Sequence, residues 1–118
     1  MPALDITCCH LRDVTLLGVV GEIDLATEPT LRAALQPLPD EHLIIDLTAV
    51  GFISAGGARC LLDTHDQLRA AHHTLVIIES PPVRRITTIT GLHRTLQTAG
   101  DRTAARALLS AGRHAPSG

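Results

Sequence analysis

Twenty residues in the middle of the chain, Leu43–Leu62 (LIIDLTAVGFISAGGARCLL), constrain the fold more than any other stretch. Leu43-Ile44-Ile45-Asp46-Leu47 is an aliphatic run without strict alternation, the pattern of a strand covered on both faces. Thr48-Ala49-Val50-Gly51 is expected to end that strand and open a loop. Ser54 then precedes Ala58, Leu61, Leu62, His65 and Leu68, which recur at i, i+3, i+4, i+7 and i+10 on one face of a helix. A serine in that place accepts the unpaired amides of a first helical turn. The same free amides and the helix dipole also tolerate a phosphate there.

The flanking segments extend this strand-to-helix unit into an alternating chain. Leu4–Cys8 and Val14–Leu16 alternate apolar and polar residues, with Leu11-Arg12-Asp13 as a tight connection. They predict a hairpin of strands near residues 3–9 and 13–20, the second ended by Gly21. Thr27 is expected to cap a helix with Pro29 in its first turn and Leu31, Ala34, Leu35 and Leu38 at helical spacing, stopped by Pro37 and Pro39. His42–Leu47 is the third strand, and the second helix spans about Ser54–His72. Leu75–Ile78 is the fourth strand. A third helix over about Val83–Thr90 follows Ser80-Pro81-Pro82, closed by Gly91 in a left-handed conformation. Thr95–Gln97 is a short fifth strand. Asp101 caps a last helix carrying Ala104, Ala105, Leu108 and Leu109 and ended by Gly112. The expectation is an α/β domain over residues 3–112: a mixed sheet of about five strands, a hairpin and then β-α-β-α-β, under about four helices. Residues 113–118 form a frayed tail.

Composition bounds what such a domain can do. At 118 residues there is room for one core and not two. With 45% hydrophobic and 19% charged residues the chain reads as soluble and globular. Phe52 is the sole aromatic residue and is expected to be a buried anchor that fixes the loop to the core. The net charge of −2 and the lack of any basic run beyond Arg84-Arg85 leave no footprint for nucleic acid. No apolar run is long enough to cross a membrane, and MPALDITCCH has neither the positive start nor the apolar core of an export signal. Cys8, Cys9 and Cys60 lack framework spacing and read as reduced thiols of a cytoplasmic protein, one of the adjacent pair pointing inward. The seven histidines show no metal-binding spacing, and Cys8-Cys9-His10 is too contiguous to wrap a zinc ion. Neither a metal nor a cofactor is expected.

Three segments, in order, resemble the STAS domain of anti-sigma factor antagonists. Gly21-Glu22-Ile23-Asp24-Leu25-Ala26-Thr27 is similar to the family's Gly-Glu-Leu-Asp element. Asp46-Leu47-Thr48 with Phe52-Ile53-Ser54-Ala55-Gly56-Gly57 resembles its signature, Asp-Leu-Ser followed by Phe-hydrophobic-Asp-Ser-Ser/Ala-Gly. Val83-Arg84-Arg85-Ile86 with Thr90-Gly91-Leu92 is similar to its third helix and the turn after it. The resemblance covers nearly the whole chain. It implies a protein that binds an anti-sigma factor, a serine-protein kinase of histidine-kinase-like fold, and so regulates sigma-factor-dependent transcription by partner switching.

In the family that kinase phosphorylates the serine after the signature Asp, and the added charge breaks the interface. Alignment on Phe52 and Gly57 puts Ser54 at the signature Asp and Ala55, which has no hydroxyl, at the phosphorylated serine. Three readings stay open: binding without a phosphoswitch, phosphorylation at Ser54, or a STAS module controlled by another signalling partner or a nucleotide. The resemblance places the partner-binding surface at Asp24, Ser54, Ala55, Gly56 and Gly57, and helical periodicity exposes Arg59 at its rim; the expectation is a monomer or weak dimer. For Asp24 the alternative is a turn aspartate that caps nearby amides, and for Ser54 a plain helix cap. A basic residue at position 59 opposes the helix dipole, and an external partner is one reason for it. Asp46 is expected to orient the loop through backbone amides, with Thr48 in a structural role.

Catalysis is the rival class. Phe52–Gly56 sits between strand and helix as a nucleophile elbow does, but an elbow needs glycine where Phe52 stands, and six residues are expected to separate the strand end from Ser54. Nothing positions His93 or His114 as a base. Phosphate binding at Gly56-Gly57 in the manner of a P-loop would need a lysine, and the ten basic residues are all arginine. The reading is a binding protein, not an enzyme.

Overall fold

The computed structural model describes residues 4–36 and 40–114, for residues 111–114 the backbone only. Five strands and four helices alternate as β1 (Asp5–Leu11), β2 (Val14–Ile23), α1 (Glu28–Ala34), β3 (His42–Ile53), α2 (Ala55–Ala70), β4 (Leu75–Ile78), α3 (Pro81–Ile89), β5 (Gln97–Ala99) and α4 (Arg102–His114), with a 3₁₀ turn at Leu92–Arg94 before β5. The sheet runs β1-β2-β3-β4-β5. β1 and β2 form the antiparallel hairpin, and the other three pairings are parallel. This is the mixed α/β sheet the alternation predicts.

β3 divides the molecule. Its Leu43, Ile45 and Leu47 point into an apolar core with Leu31 of α1 and Leu35 at its C-terminal cap, Ala58, Leu61 and Leu68 of α2, and Val83 of α3. Its Ile44 turns to the other face and packs with Val14, Leu16, Val76, Ile78 and the α4 residues Ala105 and Leu109. With helices on both faces, strict alternation is not needed, and the aliphatic run follows.

Four expectations need correction in the sheet. β3 does not stop at Leu47: Ala49, Val50, Phe52 and Ile53 pair in parallel with Val20, Gly21, Glu22 and Ile23, and register shifts on either side of Val20 and Gly21 absorb the poor strand formers. β2 likewise runs past Gly21, which takes φ 126° inside it, a conformation a side chain would resist. The fifth strand lies at Gln97–Ala99, not Thr95–Gln97, because Gly91 (φ 78°) starts the 3₁₀ turn and Leu96 is drawn into the core. Cys8 and Cys9 are both exposed, since β1 is an edge strand with neither of them under a helix, while Cys60 is buried in α2.

The helix ends follow their capping chemistry more closely than their predicted bounds. Ser80 accepts the Val83 amide at 3.4 Å and donates to the Val50 carbonyl at 2.6 Å, so α3 starts at Pro81 with prolines where a first turn admits them. Asp101 caps α4 through the Ala104 amide at 2.7 Å. α4 continues through Gly112 to His114 rather than ending there. The rest of the expected tail, residues 115–118, and the proline stop at 37–39 lie outside the described residues.

Phe52 is the largest departure. It is 46% exposed, while its neighbours Val50 and Ile53 are buried. Once β3 is extended, the pleat sends Ile53 into the core and leaves Phe52 opposite Glu22 at the uncovered end of the β2–β3 pair. The junction is anchored by Ile53 and by Gly57, not by the aromatic ring.

Candidate functional site

The ends of β2 and β3 bring the predicted site residues together. The Ser54 amide donates to the Ile23 carbonyl at 2.8 Å, which sets Asp24, the next residue of β2's exit, beside the start of α2. Ser54 has extended backbone angles (φ −78°, ψ 165°), and its Oγ accepts the Gly57 amide at 3.0 Å. The hydroxyl is thus engaged as the helix cap, and Ala55 is the exposed first residue of the helix.

The two glycines are there for close approach. A side chain at Gly57 would lie 2.5 Å from Ile23 Cγ2 and 3.0 Å from Ile53 Cγ1, and one at Gly56 would collide with the Glu28 carboxylate. The first turn of α2 therefore sits directly on the strand ends, with the first turn of α1 against it.

Asp24 is the turn aspartate of the alternative reading. Its Oδ1 accepts the Ala26 and Thr27 amides, each at 3.0 Å. The Thr27 hydroxyl accepts the Asp24 amide at 2.9 Å and donates to the Glu22 carbonyl at 2.6 Å, so it locks the turn and makes no cap bond for α1. This Asx turn holds Leu25 outward, 86% exposed.

Arg59 is exposed as its spacing predicts, but its charge has a partner in its own helix: Asp63 Oδ1 lies 3.3 Å from its Nε. Asp63 Oδ2 is also 3.7 Å from Arg32, and Arg32 Nε is 3.1 Å from Glu28. A chain of alternating charges, Glu28–Arg32–Asp63–Arg59, ties α1 to α2 beside the junction. The hydrogen bond to Glu28 pushes the Arg32 guanidinium up from its ordinary value and keeps it charged. Glu28, Arg32 and Asp63 were missed from sequence, although the i,i+4 spacings of Glu28 with Arg32 and Arg59 with Asp63 carried the signal. Leu25 carried none, because a turn has no periodicity.

Asp46 works at a distance from the junction. Its Oδ1 accepts the Thr48 amide at 3.0 Å and the Thr48 hydroxyl at 2.5 Å, while Oδ2 takes Arg102 Nε of α4 at 2.7 Å. The expected backbone bond is present, and the pairing with α4 is an addition to it. Burial pushes this carboxyl up, but the hydrogen bonds from Thr48 and Arg102 outweigh it and hold it below the usual carboxylate range. Burial pushes the Cys60 thiol up, which suits a thiol kept protonated and unreactive.

β3 delivers Ser54 directly, so the expected six-residue gap does not separate it from an elbow. What separates it is its environment. The hydroxyl caps a helix, Phe52 stands at the glycine position, and among the described residues no histidine contacts it; His93 Nδ1 lies 3.1 Å from the Thr87 carbonyl. Among the described residues no cluster of metal ligands occurs, and no helix is long and apolar enough to cross a membrane.

The mixed sheet with its helices has the fold of known proteins. The family model for the STAS domain matches residues 6–107. The chain is 28% identical over 98 residues, 80% of both chains, to the anti-sigma-F factor antagonist RsfB of Mycobacterium tuberculosis. The crystal structure of an anti-sigma factor antagonist from Mycobacterium paratuberculosis superposes with a TM-score of 0.75 at 30% identity, covering 93% of this chain and 94% of that one. A putative anti-sigma factor antagonist from Thermotoga maritima shares the fold at a TM-score of 0.81 and 13% identity, over 89% of this chain and 94% of its own. The chain belongs to the STAS domain family.

Proposed function

We propose that the chain is an anti-sigma factor antagonist that docks on a kinase-type anti-sigma factor, in the cytoplasm and without catalysis of its own, through the surface around Asp24, Ser54, Ala55, Gly56, Gly57 and Arg59. The antagonist relatives support the general role. The surface suits a protein partner: Leu25 projects from a turn that hydrogen bonds make rigid, beside a helix start whose backbone is kept close by Gly56 and Gly57. An exposed apolar side chain on a preorganised turn loses little entropy on docking.

The observation that carries the regulatory part of the reading is at residues 54 and 55. Ala55 is exposed where the family's acceptor stands, and the Ser54 hydroxyl is spent on the Gly57 amide. A kinase would first have to draw the Ser54 hydroxyl out of that cap, at a cost of about 1 kcal/mol, although a phosphate once attached can itself accept the first-turn amides. The proposal is therefore an antagonist whose binding is not switched off by serine phosphorylation.

Incubation with the cognate kinase and ATP, followed by intact-mass measurement, tests it. The wild-type mass should stay unchanged, and Ala55→Ser should gain one phosphate. Serine is well tolerated at an exposed helix start, so the substitution leaves the fold intact. Wild-type protein phosphorylated on Ser54 would overturn the unswitched reading and put the switch one residue earlier.

A further inference from the structure

At the opposite end of α2 from Ser54, a cavity of about 450 Å³ opens between the helix's last turns and the starts of β4 and β5. Arg69, Arg94, His65, His73, Thr74 and Gln97 are among the residues that line it, and every lining side chain is polar. None is a carboxylate. Arg32, Arg59, Arg84 and Arg102 each pair with an Asp or Glu, whereas among the described residues Arg69 and Arg94 do not. These two unpaired guanidinium groups share one concave site.

We infer that this cavity binds a small phosphorylated anion, a phosphate or diphosphate group carried by a soluble molecule. Two guanidinium groups offer planar forks of donors that match phosphate oxygens, and a threonine hydroxyl and a glutamine amide add neutral donors. The lining residues carry polar or charged ends, which favours a polar ligand over a hydrophobic one, and the volume is that of a small-molecule pocket.

Arg69 near the end of α2 also has a simple structural use, since a cation there complements the helix dipole. That use does not need Arg94, and two of the last carbonyls are already engaged. Leu68 O accepts from the Ala71 and His73 amides and Arg69 O from the His72 amide, with His72 in a left-handed turn. These bonds take up two of the helix's last carbonyls, and the two guanidinium groups outweigh the negative end of the helix dipole if an anion is to bind here. His73 is fixed as a wall: its Nε2 is 3.1 Å from Asp40 Oδ1, and its ring meets His42 edge-on at 5.5 Å. Asp40 lines a separate cavity with Asp13 and Glu41, of which His73 is a shared border.

The test is a titration of the intact chain with inorganic pyrophosphate and with ADP at physiological salt, read by calorimetry and by amide chemical shifts. Binding should move the Thr74 and Gln97 amides, Arg69→Ala and Arg94→Ala should each weaken it at least tenfold, and Arg69→Lys should restore part of it. Arg12→Ala removes an equal charge from the β1–β2 turn and should leave affinity unchanged. Tighter binding of ADP than of pyrophosphate would identify an organic diphosphate as the ligand type, and equal binding a bare anion; both support the site. Shifts confined to Gly56–Ala58, equal loss in the Arg12 variant, or no binding at millimolar pyrophosphate would each overturn it.

Discussion

On the face of the sheet lined by Leu43, Ile45 and Leu47, three helices close over a continuous apolar core, while the face lined by Ile44 and Asp46 is covered by α4 alone. The first face is held by burial. The second has fewer apolar residues and adds the Asp46–Arg102 pair, in which a buried carboxylate is matched by a guanidinium on the covering helix. The difference teaches how one strand can serve two layers: its residues supply area to the thick face and, on the thin face, a polar clasp that places α4 by direction rather than by area alone.

Cavities should break the two faces unequally. Leu61 is wholly buried in the thick face, and Leu61→Ala should lower unfolding stability by about 2–5 kcal/mol. Leu109, 5% exposed under α4, should fall toward the low end of that range for the same substitution, because the thin face can collapse around the gap. Urea unfolding of both variants measures the contrast, and equal losses would mean that the faces are equally packed.

The clasp should be visible in pH. The folded Asp46 carboxyl lies below the usual range, so as pH falls the unfolded chain takes up this proton before the folded chain does. The stabilisation is complete above the unfolded carboxylate pKa and is lost as pH drops through the folded value. Arg102 is more than half exposed, which discounts the pair, so Asp46→Asn should cost about 1–2 kcal/mol at neutral pH. Its stability should then change less than the wild type's between about pH 5 and pH 2. Parallel pH profiles for the two proteins would show that Asp46 contributes nothing through its charge.

The same contrast explains what could be read from sequence. The order of elements, both faces of β3 and the caps Ser54 and Asp101 were legible because they rest on periodicity and on hydroxyl or carboxylate residues at helix starts. The true end of β3 was not. Ala49 and Gly51 are weak strand formers, and pairing of this stretch with β2, through two register shifts, keeps it extended. That one error placed a loop where strand continues, gave Ser54 a false distance from its strand, and turned Phe52 inward. At the site, Gly56 and Gly57 were visible as residues, but their reason, the nearness of Glu28 and Ile23, is tertiary. Leu25 was invisible because an exposed apolar residue in a turn has no pattern to betray it.

Phe52 gives the finest test, because the buried and exposed readings predict different magnitudes. A fully packed ring replaced by alanine costs about 3–5 kcal/mol. A ring 46% exposed at the open end of the β2–β3 pair forfeits far less, and Phe52→Ala should lower stability by no more than about 1 kcal/mol. The large effect should fall elsewhere. Phe52 and Leu25 are exposed apolar side chains on the same end of the sheet as the proposed docking surface, where fully desolvated anchors dominate affinity. Leu25→Ala should leave the denaturation midpoint almost unmoved, and both variants should bind the anti-sigma factor at least tenfold more weakly by calorimetry. Unaltered affinity in both, with stability intact, would move the partner surface away from the strand ends. A loss of several kcal/mol in Phe52→Ala would instead return the ring to the core and make the junction an aromatic-anchored loop.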